Sequence, residues 1–269
     1  MIRKLFISKI LFLMFTFPGL CQGEQLVINL SSSSNRRVFT FENPKGSVKV
    51  IGYNGDVIVV NATLRLPESE KSGGSEMRRI EQNLLDISAE ADGSNVTLYS
   101  RVVGKTVDFD IKIPRDFSLK LKSLDNGNVQ IININGEIEV ENANGDISLE
   151  NIAGSSVLST VYGKISAVFR EVKPDSPMMF TSFEGDISLS LPVSVNAILK
   201  MKTGTGEIRT DFDFIPVKRQ PVVKNVENTK VYSLEDWVVG RINTGGPEYI
   251  IRSYNGNIII NKNKILSNF

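Results

Sequence analysis

Apolar and polar residues alternate along most of this chain, in short runs that end at glycines. From Gly136 to Asn144, and again from Gly145 to Ala153, the pattern is G-x-I-x-h-x-x-h-x, with h apolar. Ile138, Val140 and Ala143 carry it in the first unit, and Ile147, Leu149 and Ile152 in the second. Glu137, Glu139, Glu141, Asp146, Ser148 and Glu150 fall between them and face the other way. Period-two alternation marks a strand with one buried face, and the spacing of the third apolar residue implies a kink in each unit. It places Ile138, Val140, Ile147, Leu149, Ile165, Ile187 and Leu189 in one core.

Glycines set the period. Gly127, Gly136, Gly145, Gly154 and Gly163 recur at a spacing of nine, and the same corner returns at Gly185, Gly206 and Gly256. Asn or Asp commonly sits beside them, as in D-N-G-N-V, A-N-G-D-I and Y-N-G-N-I. Such pairs tolerate positive φ and turn a chain sharply. Two architectures fit: an antiparallel up-and-down array, or a single-stranded β-helix (β-solenoid) of short stacked strands. The helix fits better. The apolar phase is the same from unit to unit, the strands are very short, and the kink implies a second corner. A coil would then hold about two units, roughly 18–22 residues.

The flanking segments fill in the domain plan of an all-β chain. Residues 24–114 read as an N-terminal β region, with alternation at Leu26, Ile28 and Leu30 and further strands to Ile113. Inside it, Ser75 can cap one short helix over about 76–86, whose Met77, Ile80 and Leu84 recur at helical spacing and would cover the sheet. Residues 115–214 carry the repeats, 215–240 interrupt them as an insertion with Pro216, Pro221 and Trp237, 241–263 hold the last strands, and 264–269 are a tail. A longer self-similarity overlies the nine-residue unit. I-P-R-D-F-S-L-K-L-K-S-L-D-N-G-N-V (113–129) parallels L-P-V-S-V-N-A-I-L-K-M-K-T-G-T-G-E-I (191–208), as if the chain began a new set of coils twice.

These corners, preceded by I-P-R-D-F-S-L-K-L-K-S, resemble the bacterial putative-adhesin family over about residues 36–263. Its members are secreted domains of unknown function, and auto-transporter-adhesin head domains share the corner. The resemblance implies a single-stranded β-helix and an envelope location. It supplies no catalytic residues to carry over.

Composition narrows the chemistry. Arg3, Lys4 and Lys9, the apolar run Ile10–Phe17 and the break at Pro18-Gly19 form the pattern of a signal peptide over residues 1–23. No later apolar run approaches the length of a membrane helix. The pattern predicts export to the periplasm or outer surface, with a product starting near Glu24. Cys21, the only cysteine, follows Leu20 rather than the small residue a lipobox needs, so lipidation is not expected. Removing the leader takes the chain from 31 basic and 30 acidic residues to 28 against 30, or about −2. That balance disfavours a nucleic-acid partner. There is no histidine, which removes His-based triads and most zinc sites.

The remaining candidates are few. Asp146 and Asp186 follow corner glycines, where calcium could bind, but the β-roll motif is absent and turn chemistry explains them. Asp108/Asp110 and Asp211/Asp213 are paired carboxylates of the kind glycosidases use, each flanking a phenylalanine as on a half-buried strand. Gly204-Thr205-Gly206-Glu207 lacks the lysine and helix of a phosphate loop. Ser31–Ser34 reads as a polar loop. Glu137, Glu139, Glu141 and Glu150 are expected to form an acidic strip. Lys120, Lys122, Lys200 and Lys202 are expected to form a basic strip able to recognise an anion. No cofactor or metal is expected. The expected role is non-catalytic recognition or adhesion, with an envelope protein or an extended glycan as partner. A structural or signalling envelope module is the alternative, and a carbohydrate-active enzyme the second alternative.

Overall fold

The computed structural model describes residues 23–30, 37–65, 85–102, 104–217, 222–226, 229–233 and 236–263. All regular structure among them is β. The N-terminal region holds β1 (Gly23–Asn29), β2 (Arg37–Asn43), β3 (Val48–Tyr53), β4 (Val57–Arg65), β5 (Ile87–Asp92), β6 (Asn95–Ser100) and β7 (Thr106–Pro114). The glycine repeat builds β8 (Phe117–Ser123), β9 (Val129–Ile132), β10 (Ile138–Asn144), β11 (Ile147–Gly154), β12 (Ser156–Tyr162) and β13 (Ile165–Val172). It continues in β14 (Met178–Glu184), β15 (Ile187–Pro192), β16 (Ala197–Thr205) and β17 (Ile208–Thr210). Then come β18 (Phe214–Pro216), β19 (Val222–Val226), β20 (Thr229–Ser233), β21 (Val238–Ile242), β22 (Glu248–Asn255) and β23 (Ile258–Asn263).

The chain alternates between two large mixed sheets. The ten-stranded sheet has the order β1-β4-β7-β3-β9-β11-β13-β15-β23-β17, and the eleven-stranded sheet β18-β21-β16-β22-β14-β12-β10-β8-β2-β6-β5. Each pair such as β10 and β11 is one turn of chain that gives one strand to each sheet. Successive turns pair in parallel and nearly in register, as in Ile138↔Ser156 and Ile147↔Ile165. One end is antiparallel in both sheets, at β1, β4 and β5; at the other, β21 and β18 are antiparallel in the eleven-stranded sheet, while the ten-stranded sheet ends on β17, parallel to β23. The β19–β20 hairpin is a separate two-stranded sheet.

The inward residues of both sheets form one buried cluster. All seven core positions read from the alternation lie in it. Edge-to-face rings join the two walls: Phe41 to Phe109 at 4.7 Å, and Phe169 to Phe180 at 6.2 Å. The third apolar position behaves differently in the two sheets. Ile152 is buried, after a register shift between Leu149 and Ile152, with Asn151 at φ 54°. Ala143 does not follow it inward. On β10 plain alternation continues, so Asn142 takes the buried place and Ala143 is only half-buried.

The two long self-similar passages mark a feature of chain order. At Pro114 the chain leaves β7 and enters β8, stepping over the coil β2–β3. At Pro192 it leaves β15 and enters β16, stepping over the place that β22 and β23 later fill. Neither passage starts a separate stack; both stay in the same two sheets. Of the expected insertion at 215–240, β18 and the start of β21 extend the eleven-stranded sheet, with the β19–β20 hairpin between them. The helix expected over 76–86 lies outside the described residues, except Leu85 and Asp86, which belong to no regular element. Residues 1–22 with Cys21, Ser31–Ser34 and 264–269 also lie outside them. No helix among the described residues is long and apolar enough to cross a membrane.

Candidate recognition face

The corner glycines form two different columns. Gly46, Gly127, Gly145, Gly163, Gly185, Gly256 and Gly206 stack in that order where the eleven-stranded sheet turns into the ten-stranded one. A Cβ on any of the last six would lie 1.8–2.3 Å from the carbonyl oxygen of the glycine before it. No side chain fits there, and Gly145 also holds a φ of 141°. Gly136 and Gly154 belong to the opposite corner, where a Cβ would meet the Phe117 and Gly136 carbonyl oxygens at 2.1 and 2.3 Å. The nine-residue spacing is therefore half a coil.

Two polar ladders line the first column. On its inner side, Asn142 Nδ2, Thr160 Oγ1, Ser182 Oγ, Ser253 Oγ and Thr203 Oγ1 donate to the carbonyls of Gly127, Gly145, Gly163, Gly185 and Gly256, at 2.7–3.1 Å. These bonds satisfy carbonyls that the turn would otherwise bury unpaired. Sequence reading missed them, because Asn142 and Thr160 break the apolar pattern and pass for surface residues. Outside, Asn128 Oδ1 accepts from the Asp146 amide, Asp146 Oδ1 from the Lys164 amide and Asp186 Oδ1 from the Asn257 amide, at 2.8–2.9 Å. Both corner aspartates thus serve the turns.

Three of the four paired carboxylates also have work within the fold. Asp108 accepts from the Ser47 amide at 2.8 Å and pairs with Arg65. Asp211 accepts from the Lys262 amide at 2.6 Å, and Asp213 lies 3.9 Å from Lys262 Nζ. No group of three metal-ligating side chains gathers among the described residues. A groove of about 620 Å³ runs along the second corner, past Asp116, Asn135 and Gly136. There Arg170 donates to Asn135 Oδ1 at 2.9 Å, and Lys173 pairs with Glu137 at 2.8 Å.

The expected charge strips do not assemble. Lys120 and Lys122 lie on β8, Lys200 and Lys202 on β16, with four strands between them in the eleven-stranded sheet. Lys120 pairs with Glu139 at 3.3 Å, and Lys122 is in register with both Glu42 and Glu141. Lys200 lies 5.0 Å from the Trp237 ring centroid, and Lys202 pairs with Asp236. Glu139 and Glu141 share the outer face of β10, but Glu150 is on β11 in the other sheet and Glu137 sits at a corner. Sequence separation hid this, since strands adjacent in the sheet can be dozens of residues apart.

Between the two lysine pairs lies an exposed apolar band. Val157 and Val161 on β12, Met179 and Phe183 on β14, and Tyr254 on β22 all face solvent, with Tyr162 at the corner edge. Tyr162, Phe183 and Tyr254 are 53%, 47% and 51% exposed. Phe183 and Tyr254 stack at 4.9 Å with planes 8° apart, and Tyr162 meets Phe183 edge-on at 6.4 Å. The stacked rings face one another along the coil axis, so their edges point outward. Met179 is in register with Val157 on one side and Ile250 on the other. The row of Ser159, Thr181 and Arg252 divides the band into two apolar rows, and exposed apolar surface rimmed by charge is a usual mark of an interaction surface.

A family model spans residues 20–261 of this architecture. The chain belongs to the Toastrack DUF4097 family. Among solved structures, this Toastrack chain is similar to a "putative cell adhesion protein" from Clostridium sporogenes, at 12% identity and TM-score 0.50, over 90% of this chain and all of that one. It is also similar to a "putative adhesin" from Bacteroides fragilis, at 10% identity and TM-score 0.38, over 89% of this chain and 97% of that one. A "putative lipid binding protein" from Parabacteroides distasonis matches at 11% identity and TM-score 0.27, over 90% and 97%. No curated protein matches the sequence.

Proposed function

We propose that this is an exported envelope protein that recognises a partner through the outer face of its eleven-stranded sheet and performs no chemistry. The observation that carries the reading is the band of Val157, Met179, Val161, Phe183 and Tyr254, left bare on a broad parallel sheet and bordered by charge. The fold can hold such a face steady, because the residues behind it are buried in one core and side chains from Asn142 to Thr203 bond the carbonyls of the first glycine column. Parallel pairing coil on coil and the continuous glycine column support reading the two sheets as walls of a single-stranded β-helix. The use of Asp108, Asp146, Asp186 and Asp211 in the fold's own hydrogen bonds supports a non-catalytic role. The signal-peptide pattern of residues 1–23 supports export, and the cell-adhesion description of the Clostridium sporogenes protein is in keeping with it.

The test is capture of envelope proteins and glycans by the purified protein and by a Phe183→Asp/Tyr254→Asp variant. Specific capture by the first and loss by the second is expected. Equal capture by both would remove the face as the site, and turnover of a polysaccharide would end the non-catalytic reading. Replacing Lys120, Lys122, Lys200 and Lys202 by Gln tests the flanks separately, with any effect shrinking at high salt. N-terminal sequencing of exported protein should find a start near Glu24; a diacylglyceryl mass on Cys21 would show a lipoprotein instead.

A further inference from the structure

The outer face of the eleven-stranded sheet is self-complementary about β14. From one side to the other the strands run β10, β12, β14, β22, β16. One cross-strand row reads Glu139, Val157, Met179, Ile250, Lys200. The next outward row reads Glu141, Ser159, Thr181, Arg252, Lys202. Both have glutamate at one end and lysine at the other; the residues between are uncharged in the first row, while the second also carries Arg252 beside Lys202. The aromatic pair Phe183 and Tyr254 extends the centre along the strands.

Resting on the recognition reading of this face, we infer that its partner is a second copy of the same chain, packed face to face about a two-fold axis along β14. Such an axis keeps each row opposite itself and reverses the strand order. Met179 then meets Met179 of the other copy, and Phe183 meets Phe183. Val157 meets Ile250, Glu139 meets Lys200, and Glu141 meets Lys202. Every outward charge on β10 finds an opposite charge on β16, twice over by symmetry, as an isologous interface requires.

Neighbouring axes do worse. An axis between β12 and β14 lays β8 on β16 and sets Lys120 and Lys122 against Lys200 and Lys202. An axis between β14 and β22 presses Lys200 onto Val157 and leaves Glu139 against the uncharged Val239. Of these three axes, the one on β14 alone joins the apolar centre to itself and pairs both charged rims, at the cost of setting Arg252 against Ser159. The face from β10 to β16 is about 19 Å wide at ordinary strand spacing. That is a small interface, so dissociation in the micromolar range is expected.

The experiment is sedimentation of the purified protein across a concentration series, with charge-reversal variants. Wild type should pass from monomer to dimer. Glu139→Lys/Glu141→Lys should weaken dimerisation by roughly tenfold or more, and so should Lys200→Glu/Lys202→Glu, because each alone sets like charges together. An equimolar mixture of the two variants should dimerise again, since all four pairs regain opposite signs. Phe183→Asp should weaken self-association by roughly a hundredfold, with an unchanged melting curve showing that the fold survives. A wild type that stays monomeric at high concentration overturns the inference, and so does a mixture that fails to recover. A monomer that still captures an envelope protein or glycan through this face overturns it while leaving the recognition reading standing. A dimer that captures neither does the reverse.

Discussion

On the ten-stranded sheet, the outward residues beside Ile147, Ile165 and Ile187 are Ser148, Ser166 and Ser188, in register with one another. On the eleven-stranded sheet, those beside Leu158, Phe180 and Ile251 are Val157, Met179 and Ile250, also in register. The inner faces of the two sheets are alike, and both bury branched or aromatic side chains almost completely. The outer faces differ although the coils that make them are the same. Folding constrains the inward half of each strand and leaves the outward half open to specialisation. A small-polar ladder on one wall and an apolar one on the other is the difference on which the proposed recognition face rests. Natural sheets rarely leave apolar rows exposed without a use for them.

The contrast between inner and outer positions can be broken most forcefully at Ile147. Ile147→Asp would bury an unpaired carboxylate in the core, costing several kcal/mol, and should abolish cooperative thermal unfolding. A soluble variant with a sharp melt would show that the inner face tolerates what the outer face does. Gly145→Val comes next. It adds a Cβ 2.1 Å from the Gly127 carbonyl oxygen, at a φ that branched residues avoid, and should cost on the order of 3 kcal/mol or more by urea denaturation. A loss below about 1 kcal/mol would mean that the column can spread apart.

Tyr249 sharpens the comparison through pH. Tyr249 is buried where Tyr254, beyond it on the same strand, is exposed, and burial pushes the Tyr249 phenol up from 10.0 to about 12. Above pH 10 the unfolded chain sheds this proton while the folded chain keeps it. The stability tied to it is therefore full below pH 10 and lost as the pH rises toward 12, by roughly 2–3 kcal/mol. Tyr249→Phe should flatten that alkaline decline; an identical decline in the variant would place its cause elsewhere. Thr160→Val is milder, removing the donor to the Gly145 carbonyl at about 1–2 kcal/mol, whereas Ser159→Val next to it should be nearly neutral. Smallest are Met179→Asp and Ser188→Asp on the two outer faces, each within about 0.5 kcal/mol of wild type. A clear fall in the melting temperature for Ser188→Asp alone would mean that the serine ladder, and not the apolar band, is the face under cover.

The sequence by itself determined the strands, the corners and the side of each strand that turns inward. Ile138, Val140, Ile147 and Leu149 could be assigned to the core because period-two alternation between polar residues leaves only one way to bury an apolar face. The glycine spacing was legible for a similar reason: where backbone meets backbone, no other residue fits, so the constraint is written at one position. Tertiary structure alone decided which strands are neighbours. Nothing local tells β16 to step past an empty place that β22 fills some fifty residues later, since parallel pairing is made by backbone groups that every residue carries. That order separates Lys120 from Lys200, sets Glu139 beside Lys120, and brings Val157, Met179 and Ile250 into one row. It also turns Asn142 and Thr160 inward, because a buried glycine carbonyl in the adjacent coil waits there for a donor. The proposed recognition face is a property of strand order, and strand order is settled by long-range pairing rather than by any short stretch of chain.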